Sequence, residues 1–187
     1  MIDTDEDLIN QYMDGSPQAL KALIDRYTPI IYNFVVRFVG TTNAPDVVQE
    51  VFIKVWKNLK KFDVSKSHFK TWIFTITRNT VTDYLRKKKQ IQFTDLDKEE
   101  ELFSDMVVDE VLLPDEVIQK IQDKEFLDTL VAKLPQHYQE VLVMYYQEDM
   151  TFDQIGRATG KPLNTVKSHH RRALQQLRAM IDTVHQK

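Results

Sequence analysis

Apolar residues recur every three or four positions along most of this chain, which is the spacing of one face of a helix. Between residues 44 and 61, for example, Val48, Val51 and Val55 share a face with Leu59. We therefore predict an all-α protein. The predicted helices span residues 17–39, 44–61, 68–88, 115–133, 135–147, 152–159 and 163–184.

Residues that favour helix starts stand at several of these boundaries. The pattern Thr4-x-x-Asp7 resembles a capping box, and Ser16 precedes a proline at the first position of the next helix. Either Thr42 or Asn43 is positioned to cap the helix that follows. The capping residues therefore support the helix starts that the apolar periodicity predicts.

The periodicity fails over residues 90–114, which are acidic and end at a proline. Such a segment is typical of an extended linker. We predict two small helical domains, at residues 1–89 and 115–187, joined by this acidic linker.

The chain has 4 glycines and no cysteine among its 187 residues. The shortage of glycine disfavours all-β folds and glycine-rich nucleotide loops. The absence of cysteine excludes disulfides, cysteine-ligated zinc, iron–sulfur clusters and thiol catalysis. We predict no cofactor, no metal site and no small-molecule substrate.

The first ten residues are acidic, whereas a secretory signal begins with basic residues and an apolar stretch. Every apolar run is far shorter than the ~20 residues that cross a bilayer. We therefore predict a soluble cytoplasmic protein.

The formal net charge of -3 conceals a segregated charge pattern. Residues 51–89 carry 11 basic and 2 acidic side chains, and residues 151–187 carry 7 basic and 2 acidic ones. The intervening residues 90–128 carry 3 basic and 13 acidic side chains. Basic blocks suit a polyanion such as nucleic acid, although charge runs are more often solvated helix faces.

The second domain has the pattern of a helix-turn-helix. Thr151 can cap a short helix, Gly160 can make the turn and Pro162 can start a second helix. That second helix is polar and basic at its N-terminal end, as in DNA-binding proteins of this kind. An ordinary helical hairpin with a soluble face is the alternative.

Two helices of the first domain carry candidate binding faces. Asp46, Gln49 and Glu50 form a polar face that suits a basic partner, although on this pattern alone a solvated face is favoured. On the next helix a polar stripe runs from Trp72 to Arg86, which suits a nucleic-acid strand with unstacked bases. The alternative is that Trp72 packs between helices, and the residues alone favour it.

Taken together, these residues resemble a bacterial sigma factor of the sigma-70 family, in the extracytoplasmic-function (ECF) group. Residues 46–56 (DVVQEVFIKVW) resemble the family's polymerase-binding segment, and residues 69–79 with 83–86 resemble its −10-recognising and melting segment. Residues 134–135, 141–146, 151–155 and 165–168 resemble its −35-recognising domain.

The resemblance implies a protein that binds the clamp coiled coil and flap of core RNA polymerase and directs it to promoter DNA. It also implies an anti-sigma factor as partner, commonly one anchored in the membrane. The polymerase-binding residues would be Asp46, Gln49, Glu50, Phe52 and Trp56. The −10 element would be bound by Trp72, Thr75, Asn79, Asp83, Arg86 and Lys87, with the loop at 62–67 capturing an extruded base. The −35 element would be bound by Asn164, Thr165, Lys167, Ser168, His169, Arg171 and Arg172.

The chain departs from the family pattern at four positions. His169 and His170 stand where an arginine followed by an apolar residue is common. Asn164 stands where glycine is common, and Gly156 where alanine is common. His170 falls on the apolar side of its helix by helical phase, and these departures bear on −35 preference rather than on the fold.

Two other functions compete with this interpretation. A transcription regulator that binds duplex DNA alone would explain residues 115–187 but not the paired segments of the first domain. A hydrolase would have to use histidines, and the chain contains no His-Glu-x-x-His, serine-elbow or P-loop pattern. We therefore predict that the protein has no catalytic residues. The histidines are His68, His137, His169, His170 and His185.

Overall fold

The computed structural model describes residues 3–91 and 124–185, which form α-helices with one short 3-10 helix at Leu59–Lys61. The predicted all-α class is confirmed. Most of the predicted linker, and the predicted start of the second domain, lie outside the described residues. The helices are α1 Asp5–Met13, α2 Pro17–Val39, α3 Ala44–Asn58, α4 Phe69–Ile91, α5 Lys124–Val131, α6 Gln136–Tyr146, α7 Phe152–Thr159 and α8 Leu163–His185.

The residues predicted to cap α1, α2 and α3 all occupy N-cap positions, but of these only Thr4 makes the capping hydrogen bonds. Thr4 forms the predicted capping box, because its hydroxyl accepts from the Asp7 amide at 3.1 Å and the Asp7 carboxylate accepts from the Thr4 amide at 2.9 Å. Ser16 precedes α2 but makes no capping hydrogen bond through its side chain. Asn43 precedes α3, yet its amide donates instead to the Val39 carbonyl at 2.9 Å. That bond secures the turn after α2 rather than the start of α3.

Helices α1 to α4 enclose an apolar core in which aromatic rings meet edge to face. The Phe34 ring of α2 lies 5.4 Å from the Phe74 ring of α4, and Tyr27 lies 5.1 Å from Phe69. Edge-to-face pairs add to the stabilisation that burial itself gives. This core holds α4 against α2 and α3.

Helices α7 and α8 form the predicted helix-turn-helix. The Thr151 hydroxyl accepts from the Gln154 amide at 3.3 Å, and the Gln154 side chain accepts from the Thr151 amide at 2.8 Å. Gly160 ends α7 with φ of 69°, a left-handed conformation that glycine adopts without steric cost. The turn is therefore fixed by a capping box on one side and by a glycine on the other.

The two groups of helices pack together, with α4 lying against α7. Val141, Met144, Ile155 and Val166 of the second group belong to the same buried apolar cluster as the core of α1 to α4. A second, separate cluster lies between α5, α6 and α8. Its members are Leu130, Leu134, Tyr138, Leu142, Ala173, Leu174, Leu177 and Ile181.

Ion pairs join the two groups at the edge of this contact. Arg78 of α4 lies 3.3 Å from the carboxylate of Glu140 on α6, and Glu140 is only 3% exposed. Lys70 lies 3.4 Å from the Glu148 carboxylate and also donates to the Glu148 carbonyl. Burial raises the pKa of Glu148, an effect that the nearby Lys70 opposes. Basic groups on one side therefore face acidic groups on the other.

We predict that Gly156→Ala destabilises the protein, although the same change in a helix usually stabilises by about 0.5–1 kcal/mol. An added Cβ would lie 2.9 Å from the Lys161 carbonyl oxygen, so the backbone entering α8 would have to shift. Overpacking of this kind costs about 1–3 kcal/mol. Urea unfolding measures the free energy of unfolding of each protein. The control is Gln175→Ala, which changes an exposed residue of α8. A Gly156→Ala protein more stable than wild type would contradict the close approach of α7 and α8.

We predict that Arg78→Met destabilises the protein by about 1–3 kcal/mol, because Glu140 would lose its guanidinium partner while remaining buried. Arg86→Met is the matched control on the same helix, since the Arg86 side chain is 68% exposed and its loss should cost less than about 0.5 kcal/mol.

Glu140→Gln should restore part of the stability of the Arg78→Met protein, because a neutral amide is less costly to bury than a carboxylate. Urea unfolding of wild type, the two single variants and the double variant gives a double-mutant cycle, which measures the coupling energy between Arg78 and Glu140. If Arg78→Met and Arg86→Met lose the same amount of stability, the buried ion pair contributes no more than an exposed one.

Candidate interaction surfaces

The polar face predicted on α3 is exposed, and Asp46, Gln49 and Glu50 lie together on it. Glu50 forms an ion pair with Lys54 at 2.8 Å. Lys54 in turn donates to the Thr80 hydroxyl of α4 at 3.1 Å. The carboxylate of Glu50 is therefore held in a defined position on the surface.

Two aromatic residues predicted for this face differ in exposure. Trp56 is 55% exposed and lies on the same face about two turns after Gln49. Phe52 is half-buried and packs against the core, so only part of its side chain is accessible to a partner. Ile53, which the sequence analysis did not select, is 43% exposed between them. Its position outside the apolar stripe of α3 was the signal that could have identified it.

The stripe predicted on α4 lies on the side of the helix away from the buried Phe74 and Val81. Asn79 and Arg86 are exposed, while Thr75 and Asp83 are half-buried. The residues are spaced three or four apart, so they follow one line along the helix. Lys87 is also exposed, but it lies about a quarter turn to the side of this line at 100° per residue.

Some side chains of this stripe already have partners within the protein. Arg86 forms an ion pair with Asp83 at 3.0 Å. The Thr75 hydroxyl donates to the Thr71 carbonyl at 2.9 Å. Asn79 lies between them, and its side-chain amide is exposed.

Trp72 is half-buried in a cluster of three rings. It lies 5.0 Å from Phe62 and 5.6 Å from Phe69, with tilted ring planes. Trp72 therefore packs against neighbouring rings, as the alternative interpretation expected. The side chain is nevertheless only half-buried, so part of it is accessible.

The loop at 62–67, immediately before this stripe, is organised by one carboxylate. Asp63 accepts from the hydroxyl of Ser65 at 2.7 Å and from its amide at 3.0 Å, and pairs with Lys66 at 3.2 Å. The hydrogen bonds from Ser65 lower the pKa of Asp63. Val64 is left 42% exposed at the loop tip, and Arg157 of α7 donates to the Lys66 carbonyl at 3.2 Å.

The N-terminal half of α8 presents the predicted polar and basic face. Asn164 and Lys167 are exposed. Within the described residues, the cations of this face form no ion pair with a carboxylate. The other predicted members that are partly exposed are Thr165, Ser168, Arg171 and Arg172.

One residue that the sequence analysis did not select extends this face. Arg178 is exposed and lies seven residues after Arg171, which places it on the same side two turns later. Its seven-residue spacing from Arg171 was the signal in the sequence that could have identified Arg178.

The two adjacent histidines of α8 are packed inside the protein to different extents. The His169 ring lies 4.7 Å from His137 and 5.5 Å from Tyr138, so it sits at the edge of the basic face against α6. His170 is only 6% exposed, as its helical phase indicated, and burial lowers its pKa. The Tyr146 hydroxyl lies 3.2 Å from Nε2 of His170.

Within the described residues, no cluster of three or more histidine and carboxylate side chains could hold a metal ion. No helix in the same part of the chain is long and apolar enough to cross a membrane.

Family models match both groups of helices. The sigma-70 region 2 model matches residues 23–91, which contain the α3 and α4 surfaces. The sigma-70 region 4 model matches residues 125–177, which contain the helix-turn-helix. The two regions occur in the order that the motifs indicated.

Whole-chain relatives carry the same assignment. The chain is 29% identical over 178 residues to the ECF RNA polymerase sigma factor SigW of Bacillus subtilis, covering 92% of this chain and 94% of SigW. It is 31% identical over 163 residues to the ECF RNA polymerase sigma factor RpoE of Cereibacter sphaeroides, covering 86% of this chain and 84% of that protein.

Solved structures share the fold over nearly the whole chain. CnrH, solved in complex with the cytosolic domain of CnrY, has a TM-score of 0.68 at 21% identity and covers 97% of this chain and 99% of its own. The sigma factor RpoE of Bartonella quintana, solved with the anti-sigma factor NepR, has a TM-score of 0.64 at 20% identity, with coverage of 87% and 96%. Two matched family regions, a relative above 30% identity and this shared fold lead to one conclusion: the chain belongs to the ECF group of the sigma-70 family, whose members direct core RNA polymerase to promoters.

Proposed function

We propose that this sigma factor divides its work among three surfaces. The α3 polar face binds core RNA polymerase, the α4 stripe with the loop at 62–67 engages the −10 element, and the N-terminal half of α8 binds the −35 element. The observation that carries the proposal is that each surface is accessible and lies within the matching family region. The protein acts by binding and not by catalysis.

The α3 polar face suits a basic partner such as the coiled coil of the polymerase clamp. Asp46 and Glu50 supply negative charge, and Trp56 supplies a large exposed aromatic surface beside them. Aromatic anchors surrounded by polar groups are the usual energetic centre of a protein interface. Electrostatic complementarity adds orientation and faster association.

The α4 stripe suits a strand whose bases have left the duplex stack. The accessible part of Trp72 offers a ring on which a base can stack, and Asn79 offers an amide that can donate and accept. Arg86 and Lys87 supply charge for the phosphates. The adjacent loop, which Asp63 organises through Ser65, can receive an extruded base, and extrusion itself costs a few kcal/mol.

The α8 face suits the major groove of duplex DNA. Asn164, Thr165 and Ser168 can hydrogen-bond with base edges, while Lys167, Arg171 and Arg172 can contact bases or phosphates. His169 would take part only from the edge of this face, because its ring packs on His137. Arg178 would add a phosphate contact two turns further along the helix.

An anti-sigma factor is the regulatory partner that we propose. CnrH and the Bartonella RpoE were each solved with a bound protein, and RpoE was solved with an anti-sigma factor. We propose that the protein works in the cytoplasm, where the polymerase is. A regulator that binds DNA alone is not favoured, because it would not need the region 2 surfaces.

Run-off transcription tests the proposed function directly. The full chain and core RNA polymerase are incubated with a library of promoter fragments from the same genome, and the transcripts are sequenced. The proposal expects transcripts that begin at a fixed distance from shared −10 and −35 elements. Transcripts indistinguishable from those of core polymerase alone would overturn it.

We predict that Asp46→Arg weakens polymerase binding at least about tenfold, because it places a cation against a basic partner. Glu50→Ala should weaken it less. Asp25→Arg is the matched control, since Asp25 is an exposed acid on α2. Affinity is measured by titrating labelled core polymerase, with circular dichroism as the check on folding. Unchanged affinity in a folded Asp46→Arg protein would remove α3 from the interface.

We predict that Lys167→Ala, Arg171→Ala and Arg172→Ala each weaken promoter binding by the holoenzyme. Loss of a base contact costs about 1–3 kcal/mol of binding free energy and alters sequence preference. Loss of a phosphate contact instead lowers, by about one, the slope of log affinity against log salt concentration. Lys21→Ala on α2 is the control, and binding is measured over a salt series. Three variants indistinguishable from the control would contradict the assignment of α8.

A further inference from the structure

We propose that His170 and Tyr146 form a positioning pair that sets the orientation of α8 for recognition of the −35 element. The inference rests on the proposed role of α8. It concerns a residue that cannot itself contact DNA, because His170 is buried on the opposite side of the helix from the basic face.

His170 occupies an apolar stripe. The described members of that stripe are Val166, Ala173, Leu174, Leu177 and Ile181, all of them buried. An imidazole in this position has to find a polar partner, because an unsatisfied buried polar group is costly. Its Nε2 lies 3.2 Å from the Tyr146 hydroxyl of α6, which supplies that partner.

The imidazole also contacts rings from both neighbouring helices of the unit. It lies 4.9 Å from Tyr145 of α6 and 5.1 Å from Phe152 of α7, and it stacks on Tyr146 at 5.6 Å. A single side chain of α8 thus meets α6 and α7 at once. The hydrogen bond adds a direction that apolar packing alone would not define.

The position of this contact along α8 gives it influence over DNA recognition. His170 lies between Ser168 and Arg171, so a rotation of α8 about this point displaces both of those groups. Functional groups have to be held within about 0.5 Å of their productive geometry by the residues that support them. The Tyr146 hydroxyl is therefore expected to matter for −35 recognition more than for folding.

The pair also makes this support depend on protonation. The groups that face the imidazole from α6 are the rings of Tyr145 and Tyr146, and partial burial raises the pKa of Tyr146, so its hydroxyl offers no negative charge near neutral pH. On α7 the nearest acid in sequence, Asp153, is paired with Arg157 at 3.0 Å. The next residue on α8 is the cation Arg171. A second positive charge on His170 would be poorly compensated.

The sign of the pH effect follows from the direction of the shift. Burial lowers the pKa of folded His170 below 6.5, so the unfolded chain binds the proton more readily than the folded one. The stabilising contribution is complete above pH 6.5 and is lost as the pH falls from there through the folded pKa. Recognition of the −35 element should weaken over the same range.

The first experiment uses the full chain alone. Thermal unfolding is measured between about pH 7.5 and about pH 5.5 for wild type, His170→Leu and the exposed-histidine control His68→Gln. Leucine keeps the buried packing and removes the titrating group. We expect the melting temperature of wild type and of His68→Gln to fall with pH more steeply than that of His170→Leu. Equal slopes in all three proteins would overturn the protonation part of the proposal.

The second experiment uses holoenzyme and the promoter found by run-off transcription, together with a copy whose −35 element is scrambled. Tyr146→Phe keeps the ring and removes the hydroxyl, and loss of one hydrogen bond corresponds to about three- to tenfold in affinity. We expect Tyr146→Phe to lower affinity for the intact promoter by that factor. Its affinity for the scrambled promoter and for core polymerase should stay at the wild-type value.

The outcomes separate this proposal from the function on which it rests. Wild type that binds intact and scrambled promoters equally would overturn the −35 role of α8 itself. Wild type that distinguishes them, combined with a Tyr146→Phe protein that behaves identically to wild type, would overturn only the positioning pair. Equal weakening of Tyr146→Phe on both promoters would also overturn it, because that result indicates a general loss of structure.

Discussion

Burial of one face of α4 is the constraint on which the rest of the structure depends. Ile73 and Phe74 are fully buried, and Phe74 meets Phe34 edge to face while the same helix lies against α7. Because that face is committed to the core, the stripe from Trp72 to Arg86 is directed away from it. The surface proposed for single-stranded DNA is therefore fixed by the packing of the opposite side of its own helix.

The charge distribution follows the same division between inside and outside. Where the two groups of helices meet, Arg37 lies 2.9 Å from Asp128, and Lys70 and Arg78 likewise face carboxylates of the second group. Acidic side chains of the second group thus neutralise cations of α2 and α4. Within the described residues, the cations on the polar face of α8 form no such pairs, so a net charge of -3 is compatible with the two surfaces that we propose bind DNA.

Most of the secondary structure could be predicted from the sequence because it depends on local signals. The period of apolar residues and the Thr151 capping box placed α7 at residues 152–159, as the structure has it. Asn43 occupies the predicted cap position of α3, but its side-chain amide donates backward to the Val39 carbonyl, and the sequence does not distinguish these two bonds. Glu140 lies in an amphipathic pattern that permits exposure, yet it is buried by Arg78 from a distant helix. Contacts between the two groups depend on surface shape, which periodicity does not contain.

The departures from the family pattern separate into two physical kinds. Asn164 is exposed on the polar face of α8, so it changes the groups on the face that we propose binds DNA. Gly156 and His170 lie inside the helix-turn-helix, where one permits the close approach of the Lys161 carbonyl and the other joins α8 to α6 and α7. These two residues change how the recognition helix is supported rather than what it presents. A family pattern compared only at the proposed DNA-facing positions would miss them, although both lie where α8 meets its neighbouring helices.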